Sequence, residues 1–177
     1  WCKDIPYAKI TPPIVKKQAI LRTLPVEERW GMIWCWYHPK GEAPKWELPA
    51  IPELEETDKY VEPSEGHWDA ATSVQEIAEN GVDFAHLKFL HGEKEIPPAE
   101  YSFNWPYYDV DMNHGHIVGK MFGPGLNVYK FSHEGVTATM VNYTQPITTE
   151  SSVINMSITH QKYCLLYTSP SPRDQAK

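Results

Sequence analysis

Four stretches in the second half of the chain are rich in β-branched and aromatic residues: Tyr101 to Met112, Ile117 to Phe131, Val136 to Ile147 and Ser152 to Tyr163. Turn signals at Asn113-His114-Gly115, Gly123-Pro124-Gly125 and Glu134-Gly135 separate or interrupt them. Strands joined by such short turns predict an antiparallel sheet. Just before them, His67 to Glu76 reads as extended, and Ile77 to His91 as a short helix ended by Gly92. The opening third has no helical period. Its aromatic run Gly31 to His38, bounded by Gly31 and Pro39-Lys40-Gly41, predicts a buried strand and a turn. Between the two regions, Gly41 to Gly66 carries Pro44, Pro49, Pro52 and Pro63 among the acids Glu53, Glu55, Glu56, Asp58, Glu62 and Glu65, as expected of a surface connection. The chain is thus expected to hold two folding units, with no internal repeat.

Composition narrows the function. A chain of 177 residues, 41% hydrophobic and 12% aromatic, suffices for one domain or parts of two. A net charge of -7, with basic residues scattered among acids, argues against a nucleic-acid partner. No apolar run approaches the roughly 18 residues of a membrane span, and no signal peptide opens the chain. Cys2, Cys35 and Cys164 have no paired spacing, so a reducing, cytoplasmic setting is expected, with membrane association left to any segment preceding Trp1. The first residue is not Met, as if the chain began at a cut.

The candidate chemistry lies in Glu79-Asn80-Gly81-Val82-Asp83-Phe84-Ala85-His86-Leu87-Lys88-Phe89-Leu90-His91. Ferrous sites that activate oxygen commonly use two histidines and one carboxylate on one face of the metal. His86 and His91 are the candidate pair. In an ideal helix, five residues rotate by roughly 500°, leaving the two side chains about 140° apart. Convergence therefore requires His91 to sit where the helix ends, which Gly92 supplies. Asp83, one turn before His86, suits a carboxylate that accepts the far ring N–H of a ligand histidine. Asn80 lies one turn earlier again. On spacing alone, two histidines five apart at a helix end are more often structural than ligands.

The pattern Gln75-Glu76-Ile77, then Asn80-x-x-Asp83-x-x-His86-x4-His91, resembles the iron-site segment of Rieske-type non-haem iron oxygenases. The resemblance is to the branch of ketosteroid 9α-hydroxylase oxygenase components and cholesterol 7-desaturases. It implies that His86 and His91 bind Fe(II), that Asp83 links the iron site to an incoming electron, and that Asn80 lies close to the metal. Cys2 to Ala8 and Val26 to Trp34 resemble the end of the family's Rieske domain. No C-x-H followed by C-x-x-H is present, so the 2Fe-2S ligands are absent from this chain. The third iron ligand, an acid on a late helix in the family, is absent too.

The fold implied is α+β: residues 1–44 as the end of a β-rich Rieske domain, 45–66 as a linker, and 67–163 as part of a helix-grip catalytic domain. Residues 164–177 resemble a translated sequencing adapter and are expected to be an artefact. The resemblance further implies hydroxylation or desaturation of a sterol or steroid with O2, electrons from a separate reductase, and a homotrimer in which Asp83 faces a neighbouring subunit. Two other classes fit the same sequence: a helix-grip module that encloses lipid without chemistry, and a zinc hydrolase, disfavoured because no H-E-x-x-H is present.

Other residues carry plainer expectations. Asp109 and Asp111 read as solvated strand or turn acids, and His114-Gly115-His116 as a turn with exposed imidazoles. Trp34, Trp36 and Tyr37 read as core. His38, His67, His133 and His160 are isolated.

Overall fold

The computed structural model describes residues 4–19 and 21–162. Cys2, Cys164 and the segment 164–177 lie outside them. The chain divides into two units, Trp1–Pro49 and Ala50–Lys177.

In the first unit a short helix α1 (Pro13–Lys17) precedes a hairpin of β1 (Val26–Arg29) and β2 (Met32–Cys35). Trp30 and Gly31, at φ 53° and 73°, form the two-residue turn whose twist suits a hairpin. The strand expected over Gly31 to His38 is therefore shorter and is not buried. Its ladder has a single partner strand, and Ile33 and Tyr37 remain exposed. Tyr37 is a surface residue rather than core, its ring facing Arg22. Trp34 packs edge-on against Trp30, and Trp36 against Trp46.

The second unit is a seven-stranded antiparallel sheet. Its strands are β3 (Ser64–Ala70), β4 (Ala99–Asn104), β5 (Tyr107–Met112), β6 (Ile117–Phe122), β7 (Leu126–His133), β8 (Val136–Pro146) and β9 (Ser152–His160). The order β3-β9-β8-β7-β6-β5-β4 is a meander closed by the first strand pairing with the last, Ser64 opposite Ile158 and Ala70 opposite Ser152. Helices are few and short: α2 (Pro52–Glu55), α3 (Val74–Asn80) and α4 (Ala85–Phe89). Ile51 is buried and α2 lies against β9, so the stretch expected to be a linker contributes to this unit. The stretch from Tyr101 to Met112 holds part of β4 and all of β5, because the chain reverses at Trp105-Pro106.

Alternation along the strands separates two faces. Asn127, Tyr129, Phe131, Met140, Asn142 and Thr144 share the face beneath α3, which packs on β8. Lys130, on the opposite face, meets Glu53 of α2 at 2.5 Å. Leu126, Val141 and Thr139 are almost wholly buried on that second face. Among the described residues no helix is long and apolar enough to cross a membrane.

Candidate metal centre and cavity

The segment expected to be one helix is two. Ser73 caps α3, its hydroxyl accepting from the Glu76 N–H at 3.3 Å. Helix α3 therefore begins inside the stretch expected to be extended. It stops at Asn80, and after Gly81 the carboxylate of Asp83 accepts from the Ala85 N–H at 3.1 Å as α4 opens. Helix α4 ends when the Leu90 N–H returns to the His86 carbonyl at 2.7 Å. Gly92, at φ 76°, then turns the chain left-handed. This early end folds His91 back, and the His86 and His91 rings lie 5.2 Å apart with their planes at 69°. In a continuous helix they would diverge.

The His86 Nδ1 lies against the backbone carbonyl of Asp83. Donation of Nδ1–H to that carbonyl fixes the tautomer and leaves Nε2 as the free, metal-competent nitrogen. The expected acceptor was the Asp83 carboxylate. One helical turn ahead of a histidine it is the carbonyl that points along the helix axis, while the carboxylate is taken by the Ala85 N–H. Two imidazoles with N–metal bonds of about 2.1 Å would have ring centres at about this separation around one ion. Neutral imidazole pairs suit iron among other first-row metals. Among the described residues no third His, Cys, Asp or Glu joins them. Cys35 is exposed and free, and the described residues hold no 2Fe-2S ligand set.

His86, Asp83 and Asn80 line one side of a cavity of about 290 Å³, whose floor is the sheet. Tyr129 shapes that floor. A Cβ on Gly119 would stand 2.6 Å from its ring, and one on Gly81 would stand 2.8 Å from its hydroxyl, so both glycines are needed for the close approach of strand, ring and helix. Burial, and then the neighbouring Tyr108, push the Tyr129 phenol above its ordinary pKa, so it stays a neutral donor. Deeper on the floor, Asn127 faces Asn142 across the β7–β8 ladder, with Thr144 two residues on. Asn127 is 5% exposed and Thr144 8%. The Oδ1 atoms of Asn127 and Asn142 and the Oγ1 of Thr144 are buried without a partner among the described residues. Each such atom costs about 1–3 kcal/mol when left unpaired. On the far side of Phe84, a larger and more open apolar hollow of about 850 Å³ is lined by Val82, Tyr101, Phe103, Trp105 and Met121.

The remaining candidates take local roles. Asp109 pairs with Lys120 at 3.1 Å, and Asp111 accepts from the Gly115 N–H at 2.6 Å. His114 sits in that turn at φ 56°, and His116 meets the Ser132 carbonyl. His67 contacts Asn155, His38 is beside Glu42, His133 beside Glu134, and His160 meets the Gln161 carbonyl. Sequence reasoning missed Asn127, Tyr129, Asn142 and Thr144. Their only signal is the two-residue alternation that puts them on one face.

A family model described as "3-Ketosteroid 9alpha-hydroxylase C-terminal domain" matches residues 35–168. A cholesterol 7-desaturase of Caenorhabditis elegans is 38% identical over 98 residues, 55% of this chain and 22% of that protein. A probable 3-ketosteroid-9-alpha-monooxygenase oxygenase component of Rhodococcus rhodochrous is 34% identical over 96 residues, 51% of this chain and 22% of that protein. The chain thus spans under a quarter of either relative's length. In fold it is similar to dicamba monooxygenase bound to dicamba, with a TM-score of 0.61 at 11% identity, covering 78% of this chain and 50% of that one.

Proposed function

The chain belongs to the 3-ketosteroid 9alpha-hydroxylase C-terminal domain family, and from that premise we propose that it forms the iron- and substrate-binding part of a Rieske-type non-haem iron oxygenase. The enzyme hydroxylates or desaturates a sterol or steroid, using dioxygen and electrons from a separate reductase. One observation carries this reading: His86 and His91 converge to 5.2 Å, with His86 on the lining of a cavity above the sheet. The second unit, from Ala50, carries the helix-grip portion, and residues 1–44 are the end of the Rieske domain.

His86, through Nε2, and His91 would hold the iron, with a carboxylate from outside residues 4–162 completing the set. Ferrous iron bound there supplies the activation of dioxygen. The protein's own residues do the rest. The Asp83 carbonyl holds the His86 ring in register, and its exposed carboxylate, facing a neighbouring subunit of a trimer, lies on the path of the incoming electron. Asn80 and the Tyr129 phenol present polar groups to the reacting end of the cavity. Met140, Phe131 and Ile154 give the remainder of the lining an apolar character that excludes water. Among the described residues none belongs to a 2Fe-2S ligand set.

In the complete protein, His86→Ala or His91→Ala is expected to remove the mononuclear iron while the 2Fe-2S absorption and the far-ultraviolet circular dichroism stay as in wild type. Metal analysis decides it. Full iron retention in both variants would falsify the assignment.

A further inference from the structure

The cavity floor holds polar atoms that the iron site does not use. Asn127, Asn142 and Thr144 sit on the two most deeply placed central strands, on the face that looks up at His86. Asn127 and Thr144 are more than nine-tenths buried, and the Asn127 Oδ1, Asn142 Oδ1 and Thr144 Oγ1 have no partner among the described residues. These three unpaired polar atoms share the lining with the apolar Met112, Met140 and Ile154, apart from the polar groups of Asn80, Asp83 and His86 on the helical side, and form a small polar socket on the floor. Buried polar groups are normally paired, and the exceptions concentrate where something else completes them.

We propose that Asn127, Asn142 and Thr144 anchor a hydroxyl group on an otherwise apolar substrate, and so determine both substrate choice and which carbon is held opposite His86. This deepens, and rests on, the oxygenase reading above. An alcohol fits because its oxygen both donates and accepts. It gives its proton to one amide oxygen and takes the Thr144 hydroxyl proton in return. A ketone only accepts, so it pairs with Thr144 and leaves both amide oxygens bare.

The test uses the complete, iron-loaded enzyme and two probes that differ at one oxygen, cholesterol and its 3-keto counterpart. Wild type is expected to bind the alcohol about tenfold more tightly, the worth of one good hydrogen bond. Thr144→Val keeps the side-chain shape, and Asn142→Leu nearly so. Asn142→Leu is expected to weaken alcohol binding about tenfold, leave ketone binding within about twofold, and spread the oxidation over more than one carbon, whereas Thr144→Val takes a donor from both probes and is expected to weaken both about tenfold. Because Thr144→Val removes an unpaired buried hydroxyl, the ligand-free variant should also melt at a higher temperature than wild type. Equal wild-type affinity for the two probes, equal weakening of both in Asn142→Leu, or a lowered melting temperature for Thr144→Val each overturns the proposal. If the enzyme holds iron at His86 and His91 and oxidises both probes without discrimination, the anchor alone has failed. If it holds no iron there, the oxygenase reading has failed.

Discussion

The segment from Val74 to His91 and the floor beneath it, β7 and β8, are built on opposite terms. Helices α3 and α4 are seven and five residues long and contain no buried residue. Phe89 and Leu90 are exposed, and the segment is held by a cap, local hydrogen bonds and the Gly81 contact with Tyr129. The two strands, by contrast, are paired on both sides and contain Leu126, Thr139 and Val141, each at most 2% exposed. The proposed metal pair therefore rides on the weakly anchored layer, and the polar atoms of the proposed socket on the strongly anchored one. Such a division lets the ligand histidines adjust as a third ligand arrives while the floor keeps its shape.

The largest contrast is expected in stability. Leu126→Ala removes a side chain that is 1% exposed, and should cost about 2–5 kcal/mol. Phe89→Ala, on the exposed side of α4, should stay within about 0.5 kcal/mol. Urea unfolding followed by tryptophan fluorescence compares them. A Phe89→Ala cost matching that of Leu126→Ala would show that the helical layer is as firmly held as the sheet.

The next effect sharpens the comparison in function. Asp83 holds His86 through its backbone carbonyl, which Asp83→Asn keeps, whereas the substitution removes the carboxylate charge. In the complete protein the variant is expected to retain most of its iron and to lose about 10- to 100-fold in turnover. Metal content measured beside turnover separates the two. If iron falls in proportion to turnover, the side chain rather than the carbonyl supports the metal.

How far the sequence alone led differs between the same two regions. The strands were legible because β-branched and aromatic runs between Gly- and Asn-containing turns leave little choice, and the candidate metal segment stood out because Asn80, Asp83, His86 and His91 keep their spacing together. The break at Gly81 was not, since a single glycine inside a helical pattern does not say that Tyr129 stands against it. The reversal at Trp105-Pro106, inside the stretch from Tyr101 to Met112, was not among the turn signals read from the sequence. Asn127, Asn142 and Thr144 were invisible for a deeper reason. An Asn or Thr in a strand reads as solvent-facing until the register shows which face is roofed by a helix.

The smallest effect tests whether the two layers open separately. Ser73 and Glu76 have the S-x-x-E spacing of a capping box, and the Ser73 hydroxyl takes one of the N–H groups that α3 would otherwise leave bare. Helix α3 is too short to persist on propensity alone, so the cap and the packing on β8 must hold it. Ser73→Ala should therefore cost about 1 kcal/mol. If α3 opens independently of the sheet, amide exchange across Val74 to Asn80 should quicken about fivefold while exchange in β7 and β8 is unchanged. Iron binding should weaken by no more than that factor, because His86 and His91 lie beyond the frayed end and keep their own turn at Gly92. Equal quickening in helix and strands would mean that both layers unfold as one unit, and the metal pair would then share the stability of the floor.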